Sequence, residues 1–285
     1  MNGFVNVIKP VGATASDVAV CLKHVLREKK VGHLGTLDPG ASGVLPVAVG
    51  QATRLFDYLT DKVKVYRAFF TFGKTTDTLD SYGAVRAETG PIPELDTVLS
   101  VLKRFTGELD QIPPVYSAKS VGGVRAYKLA REGILPELKP RRVIIYGIDL
   151  ISQKSADTFV FDIRCGGGTY IRSLARDIAC ACGTVGYMSG LIRLQSGSFT
   201  IDKAYTLDEV RELKEKCVVP ITEPLSDVET YCLDDKYFDD INCGRKVRCT
   251  LFVGYRKIYC KDVFFGLGRS YNGFLKLDYY LKNAL

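Results

Sequence analysis

The texture of the chain changes near Ser226, and that break constrains the fold more than any other feature. Before it, helix-like and strand-like stretches alternate. GFVNVIKP reads as a short strand stopped by Pro10, and Ser16 reads as the N-cap of a helix running to about Lys29, with Val18, Leu22 and Val25 as its apolar stripe. A Gly-rich loop follows, then an apolar strand around VLPVAV, a short helix over Ala52 to Leu59 and a partly buried strand in KVYRAFFTFGK. Leu95 to Phe105 predicts a helix ended by Gly107, and RRVIIYGIDLI and DTFVFDIRC predict strands. GGGTYIRSLARDIACACG turns from glycines into a helix that Gly183 ends. Thr206 and Glu209 form a capping box for TLDEVRELKEK. Beyond Ser226, CTLFVGY, KIYCKDVFFGLG and GFLKLDYYL alternate with Gly, Asn and Asp turns and show no helical period. The pattern predicts an α+β domain followed by a small all-β module, with the boundary near 226 to 230.

Composition removes several classes. No apolar run approaches the roughly 18 to 20 residues of a membrane span. The N-terminus lacks a basic region followed by an apolar run and a small-residue cleavage site, so the expectation is a cytoplasmic protein without a membrane anchor. The nine cysteines are odd in number and irregularly spaced, and only two histidines accompany them. Buried free thiols in a reducing compartment fit better than a zinc site, and no metal is expected. The net charge of +7 is mild, but its distribution is uneven. Lys62, Lys64 and Arg67 share one segment, Lys139, Arg141 and Arg142 another, and Arg245, Lys246 and Arg248 a third, with tyrosines such as Tyr66, Tyr116, Tyr127, Tyr146 and Tyr170 close to several of them. Cations neutralise phosphates and aromatic rings stack on bases, which suits RNA. A solvated basic surface over core tyrosines is the competing reading.

Two residues carry candidate chemistry. Asp38, in GHLGTLDPGASGVLPVAVG, is the sole acid between Glu28 and Asp57, and its small and apolar neighbours put it in a pocket wall. Asp-Pro-Gly is also an ordinary turn sequence, so a turn role competes with a chemical one. Arg172 falls in the first turn of a helix, where the macrodipole disfavours a cation by about 0.3 to 1 kcal/mol. A carboxylate or phosphate facing Arg172 accounts for that mismatch; a solvent-facing arginine is the alternative. A buried carboxylate stays ionised beside an arginine and can then serve as a covalent nucleophile. The segment GGGTY could bind an anion through free backbone N–H groups, and no Walker-type phosphate loop, G-x-S-x-G elbow or H-E-x-x-H motif is present.

GHLGTLDPGASGVLPVAVGQATRLFDYL resembles the signature of the TruB family of tRNA pseudouridine synthases. VIKPVGATASD, KVYRAFFTFGKTTDTLDSYG, QIPPVYSAKSVGGVRAYKLAREG and CGGGTYIRSLARDIA stand in that family's order, and the five motifs together span roughly residues 3 to 195. The tail is similar, more loosely, to the PUA RNA-binding module attached to many such enzymes. The resemblance implies a catalytic domain over 1–228 with a central mixed, largely antiparallel sheet, an RNA-gripping insertion around 110–145, and a PUA-like β-barrel over 229–285.

The same resemblance implies isomerisation of uridine to pseudouridine at position 55 in the T-loop of tRNA, without cofactor or metal. Asp38 takes the place of the nucleophile, with attack at sugar C1′ or base C6 left open. Tyr66 matches the tyrosine that stacks on the target base and accepts the C5 proton, and Arg172 the arginine paired with the catalytic Asp. Tyr170 and Leu194 match residues lining the uracil pocket, Lys9 a supporting lysine, and His33 a histidine at the flipped-out nucleotides. Lys119, Arg141 and Arg142 become phosphate contacts. The implied partner is the T-loop and stem of tRNA, with no obligate protein partner and a monomeric chain. One departure is Ile192-Arg193-Leu194, where the family often has Arg-Arg-Leu. Two rivals stand beside the enzyme: a tRNA-binding folding chaperone with secondary or lost catalysis, and a nucleic-acid-binding module whose Asp-Pro-Gly is only a turn. Neither needs Asp38.

Overall fold

The computed structural model describes residues 1–117, 120–134 and 136–282. Its main sheet contains β1 (Gly3–Lys9), β2 (Ser42–Val49), β3 (Lys64–Phe72), β4 (Gly107–Gln111), β5 (Arg141–Gln153), β6 (Thr158–Cys165) and β7 (Gly186–Ser196). Their spatial order is β1-β2-β7-β3-β6-β5-β4. Every pair along this path is antiparallel except β2 with β7. The sheet is therefore mixed and largely antiparallel.

Side-chain alternation explains how it is covered. On β3, Lys64, Tyr66, Ala68, Phe70 and Phe72 all turn to one buried face. Phe159, Phe161, Ile163 and Cys165 of β6 meet them there, with Phe70 and Phe161 ring centroids 5.0 Å apart. Helix α1 (Ala15–Val25) and helix α2 (Ile171–Ala181) supply the apolar cover. In α2 the buried set Ile171, Leu174, Ala175, Ile178 and Ala179 follows the i, i+3, i+4, i+7, i+8 spacing of an amphipathic helix.

Strand β2 is apolar from Val44 to Val49 because both of its faces are enclosed there. Leu45, Val47 and Val49 enter the core described above. Val44 and Ala48 join a second cluster with Phe4, Leu55, Phe199 and Leu225, and with Phe264, Leu267 and Leu281 from the C-terminal segment. Each such burial stabilises by about 1.5 to 3 kcal/mol. The Gly-rich loop that carries Asp38 thus feeds directly into a strand enclosed on both faces.

Two local expectations are corrected. Helix α1 starts two residues before the expected Ser16 cap: the Thr14 hydroxyl accepts the Asp17 N–H at 3.1 Å and the Asp17 carboxylate accepts the Thr14 N–H at 2.8 Å. It also ends at Val25 rather than Lys29, since Arg27 adopts a φ of 51°. The C-terminal part is not all β. Its five strands, in the order Thr230–Cys232, Arg256–Cys260, Val263–Tyr271, Phe274–Tyr280 and Val247–Arg248, are accompanied by a short helix, Phe238–Asn242. Only Ile241 of that helix is buried, which leaves no period to read in the sequence.

Strand β7 leaves little trace in the sequence. Gly186, Ser189 and Gly190 dilute its apolar pattern, and bulges between Met188 and Gly190 and between Arg193 and Gln195 shift its alternation twice. It nevertheless lies in the middle of the sheet. Between β4 and β5 the chain builds a hairpin of Ser120–Val121 with Val124–Arg125 and a helix, Ala126–Arg131.

Candidate active site

Asp38 occupies a turn in which its carbonyl accepts the Ala41 N–H at 3.0 Å. Buried Leu37 and Ala41 anchor the turn on either side. The turn reading of Asp-Pro-Gly is therefore correct, and it leaves the carboxylate free for other work. The Pro39 carbonyl accepts the Gly12 N–H at 2.8 Å and the Lys9 ammonium at 3.3 Å. Lys9 also donates to the carbonyls of Pro10 and Ala13, so its three donors tie the β1–α1 turn to the Asp38 loop. Burial lowers the Lys9 ammonium to about 8, an effect that Asp38 opposes.

The Asp38 carboxylate meets Arg172 side-on. Nε of Arg172 stands 2.9 Å from Oδ2, and Nη2 stands 3.3 Å from Oδ1. Arg172 is only 7% exposed while the Asp38 side chain is 35% exposed, so the pair is rooted in the interior and opens to solvent at the acid. The guanidinium has further partners: Nη1 donates to the Thr78 carbonyl at 3.0 Å and faces the Asp80 carboxylate at 3.4 Å, and Nη2 donates to the Tyr116 carbonyl at 3.1 Å. A cation in the first turn of α2 is thus explained by two carboxylates opposite it. The solvent-facing alternative for Arg172 does not hold.

Arg193 is a second buried guanidinium, 1% exposed, and sequence reasoning missed it as a site residue. It donates to the carbonyls of Val44 (2.6 Å), Thr36 (3.4 Å) and Gly35 (3.3 Å), which bracket Asp38 on both sides. Among the described residues no carboxylate forms an ion pair with it. Glycine is required at 43, where φ is 103° and a Cβ would fall 2.3 Å from the Arg193 carbonyl oxygen. Arg193 stands opposite Tyr66 in the β7–β3 register. Burial raises the Tyr66 phenol above its ordinary value, and the neighbouring Arg193 charge opposes that rise. His33, half-buried, has its imidazole lowered first by burial and then by Arg193, and its Nδ1 is enclosed without a partner.

The remaining expected residues divide. Tyr170 is the residue preceding α2, its N–H and carbonyl both bound by the Gln111 side chain. Leu194, half-buried, is the bulged residue of β7 immediately after Arg193. Lys119 lies outside the described residues. Arg141 and Arg142 are exposed at the start of β5, where Arg142 faces Glu108 at 3.5 Å and Asp110 at 3.6 Å. The expected basic surface at Lys62, Lys64 and Arg67 is largely not one. Lys64 is buried, lowered to about 8 by desolvation, and donates to the carbonyls of Thr60 and Lys62. Arg67 is bound side-on by Asp162 at 2.7 to 2.8 Å. Asp80, the other residue missed, gives no signal in TTDTLDSYG beyond being an acid.

A cavity of about 290 Å³ bounded by Leu34, Pro46, Leu59, Lys62 and Phe199, among others, does not include Asp38. The Asp38 side chain itself is 35% exposed. Among the described residues no cluster of three or more His, Cys, Asp or Glu side chains could hold a metal, and no helix is long and apolar enough to cross a membrane.

Known proteins share this arrangement of sequence and fold. The family described as TruB family pseudouridylate synthase (N terminal domain) matches residues 23–171. A tRNA pseudouridine synthase B of Caldanaerobacter subterraneus subsp. tengcongensis is 41% identical over 273 residues, covering 94% of this chain and 95% of that protein. One from Clostridium perfringens is 39% identical over 288 residues, covering 98% of each. Among solved structures, a Cbf5-Nop10-Gar1 complex matches with a TM-score of 0.72 at 27% identity, over 94% of this chain and 78% of that one. The fold is that of a pseudouridine synthase, and with half the chain matched and near-complete relatives at this identity, the protein belongs to the TruB family of pseudouridylate synthases, which are isomerases.

Proposed function

We propose that this chain converts one uridine of tRNA, at position 55 in the T-loop, to pseudouridine, with Asp38 as the nucleophile. The observation that carries this reading is the side-on pair of Asp38 and Arg172, formed between segments 134 residues apart and open to solvent only at the acid. A carboxylate on a protein loop cannot reach a base inside a helix, so the target nucleotide must leave its stack. Asp38 then attacks the extruded nucleotide, the N1–C1′ bond breaks, the uracil turns, and C5 bonds to C1′. The proton lost from C5 is balanced by one taken up at N1, and the Asp38 carboxylate is regenerated.

Tyr66 stacks on the base and accepts the C5 proton in this scheme. Burial raises its phenol above the ordinary value and the adjacent Arg193 charge opposes that rise, so the phenol must give up its own proton before it can accept one. Arg172 orients Asp38, Lys9 supports its loop, Tyr170 and Leu194 line the uracil, and His33 meets the extruded nucleotides. The catalytic unit is residues 1–228, with 110–145 gripping RNA, and 229–285 act as a PUA-like RNA-binding module; the five-stranded C-terminal sheet supports that division. The reaction needs no cofactor, since the nucleophile and the proton acceptor are both side chains.

The test is chemical mapping of pseudouridine in an unmodified tRNA transcript incubated with wild type or with Asp38→Asn. Product is expected at position 55 with wild type only, the variant losing roughly 10⁴-fold in rate or more while still binding tRNA. Equal product from both would remove Asp38 from the mechanism.

A further inference from the structure

Tyr82 stands in the open beside the Asp38 loop, 60% exposed. Its ring closes down on Gly40, where an added Cβ would lie 2.5 and 2.7 Å from two ring carbons. Glycine two residues after Asp38 is what lets an aromatic ring rest on this loop. Among the described residues the Tyr82 hydroxyl has no hydrogen-bond partner, and its ring has no aromatic or cationic neighbour.

The turn that presents the ring is tightly braced. The Tyr82 N–H donates to Asp80 Oδ1 at 3.0 Å, the Thr78 hydroxyl donates to the same oxygen at 2.7 Å, and the Ala84 N–H donates to Asp77 Oδ1 at 2.9 Å. Gly83 completes the turn, since a Cβ there would lie 2.3 Å from Asp77 Oδ1. Asp80 Oδ2 faces Arg172, the guanidinium that holds Asp38. One carboxylate therefore fixes both the backbone of Tyr82 and the partner of Asp38. Holding a large ring in water on a braced turn gains little for folding, because burial is what stabilises an aromatic side chain. At the edge of a site that takes a base, it offers a π-face.

We propose that Tyr82 is a stacking platform for an unpaired base of the substrate RNA, a loop nucleotide flanking the isomerised uridine. The proposal rests on the tRNA-uridine reading above. Extruding a base breaks its stacks on both neighbours, and single-stranded RNA recovers such stacks on aromatic side chains. Every base has a π-face, so the platform recognises the unpaired state of the neighbour rather than its identity.

The experiment measures Kd by fluorescence anisotropy for a T-arm hairpin, and for hairpins carrying one abasic loop position at a time, with pseudouridine formation followed in parallel. Tyr82→Ala and Tyr82→Leu are expected to weaken binding of the intact hairpin by roughly 5- to 100-fold, as removal of a base-stacking ring does. Tyr82→Phe restores it. At one flanking position, removing the base weakens wild type but leaves Tyr82→Ala unchanged, as the two losses are then the same contact. Binding by Tyr82→Ala and Tyr82→Leu within twofold of wild type, or abasic losses equal in wild type and Tyr82→Ala at every position, overturns the platform. If wild type makes no pseudouridine in hairpin or full transcript, the underlying reading fails and takes the platform with it. Product from wild type together with unaltered binding by the variants defeats the platform alone.

Discussion

Arg172 and Arg193 are both sealed inside the molecule and both reach the Asp38 loop, yet their surroundings are opposite in kind. Arg172, in the first turn of α2, is met by two carboxylates, Asp38 and Asp80, and by two carbonyls. Arg193, beside the second bulge of β7, is met by the carbonyls of Gly35, Thr36 and Val44. The first holds the loop's carboxylate and the second holds its backbone. A guanidinium can be kept in the interior either by neutralising it or by wrapping it in peptide dipoles, and here the two solutions lie on either side of one loop. Carbonyls leave the charge of Arg193 uncancelled, which is why Tyr66 and His33 both respond to it.

Removing Arg172 tests the sharper half of this contrast. Arg172→Ala leaves two carboxylates, Asp38 and Asp80, without the cation they share, a type of loss that costs about 3 to 5 kcal/mol when fully buried and less here because Asp38 is 35% exposed. Turnover should fall by about 10³-fold, near 4 kcal/mol of transition-state stabilisation, with tRNA affinity much less affected. Rapid-quench rates on pre-bound tRNA separate the two quantities. Normal turnover with weakened affinity would make Arg172 a phosphate contact and erase its difference from a surface arginine.

Arg193→Met should act on the scaffold before the chemistry. The substitution keeps most of the volume but leaves three interior carbonyls without their donor, each worth about 1 to 3 kcal/mol when unpaired. A loss of about 3 kcal/mol in unfolding free energy is expected from urea denaturation, with turnover reduced less than in Arg172→Ala. An unchanged urea midpoint combined with complete loss of turnover would place Arg193 in the chemistry itself and collapse the comparison.

Much of this arrangement is legible in the sequence. An isolated acid among small residues, and a cation where a helix dipole disfavours one, pointed to each other across the chain. The side-on pair agrees with that argument. The capping box of Thr206 and Glu209 was equally readable, since it is a purely local signal. The burial of Lys64 is also legible, since its place two residues before Tyr66 in an alternating strand puts it on the core face with Ala68, Phe70 and Phe72. Strand β7 hid because two bulges and two glycines break the alternation that strands are recognised by. With β7 unseen, nothing indicated that Arg193 lies in the sheet centre. Asp80 is distinguished from Asp77 only by its approach to Arg172, a tertiary fact with no trace in local sequence.

The same contrast between paired and unneutralised arginines recurs at the surface, where the expected effect is smallest. Arg141 and Arg142 are neighbours on β5, both exposed, and Arg142 has Glu108 and Asp110 beside it on β4. Arg141 instead lies against Gly168, where an added Cβ would stand 2.6 Å from its guanidinium carbon. Exposed pairs such as those of Arg142 are worth about 0.2 to 1 kcal/mol. Their larger consequence is that two acids repel an approaching phosphate and offset the arginine's attraction. If this rim contacts tRNA, Arg141→Gln should lower the slope of log affinity against log salt concentration by about 0.7 to 0.9, the loss of one neutralised phosphate. Arg142→Gln should lower it by less. Equal slopes for the two variants would show that the acids of β4 do not screen Arg142 in the complex, whereas a larger change for Arg142 would mean that phosphate displaces its carboxylate partners.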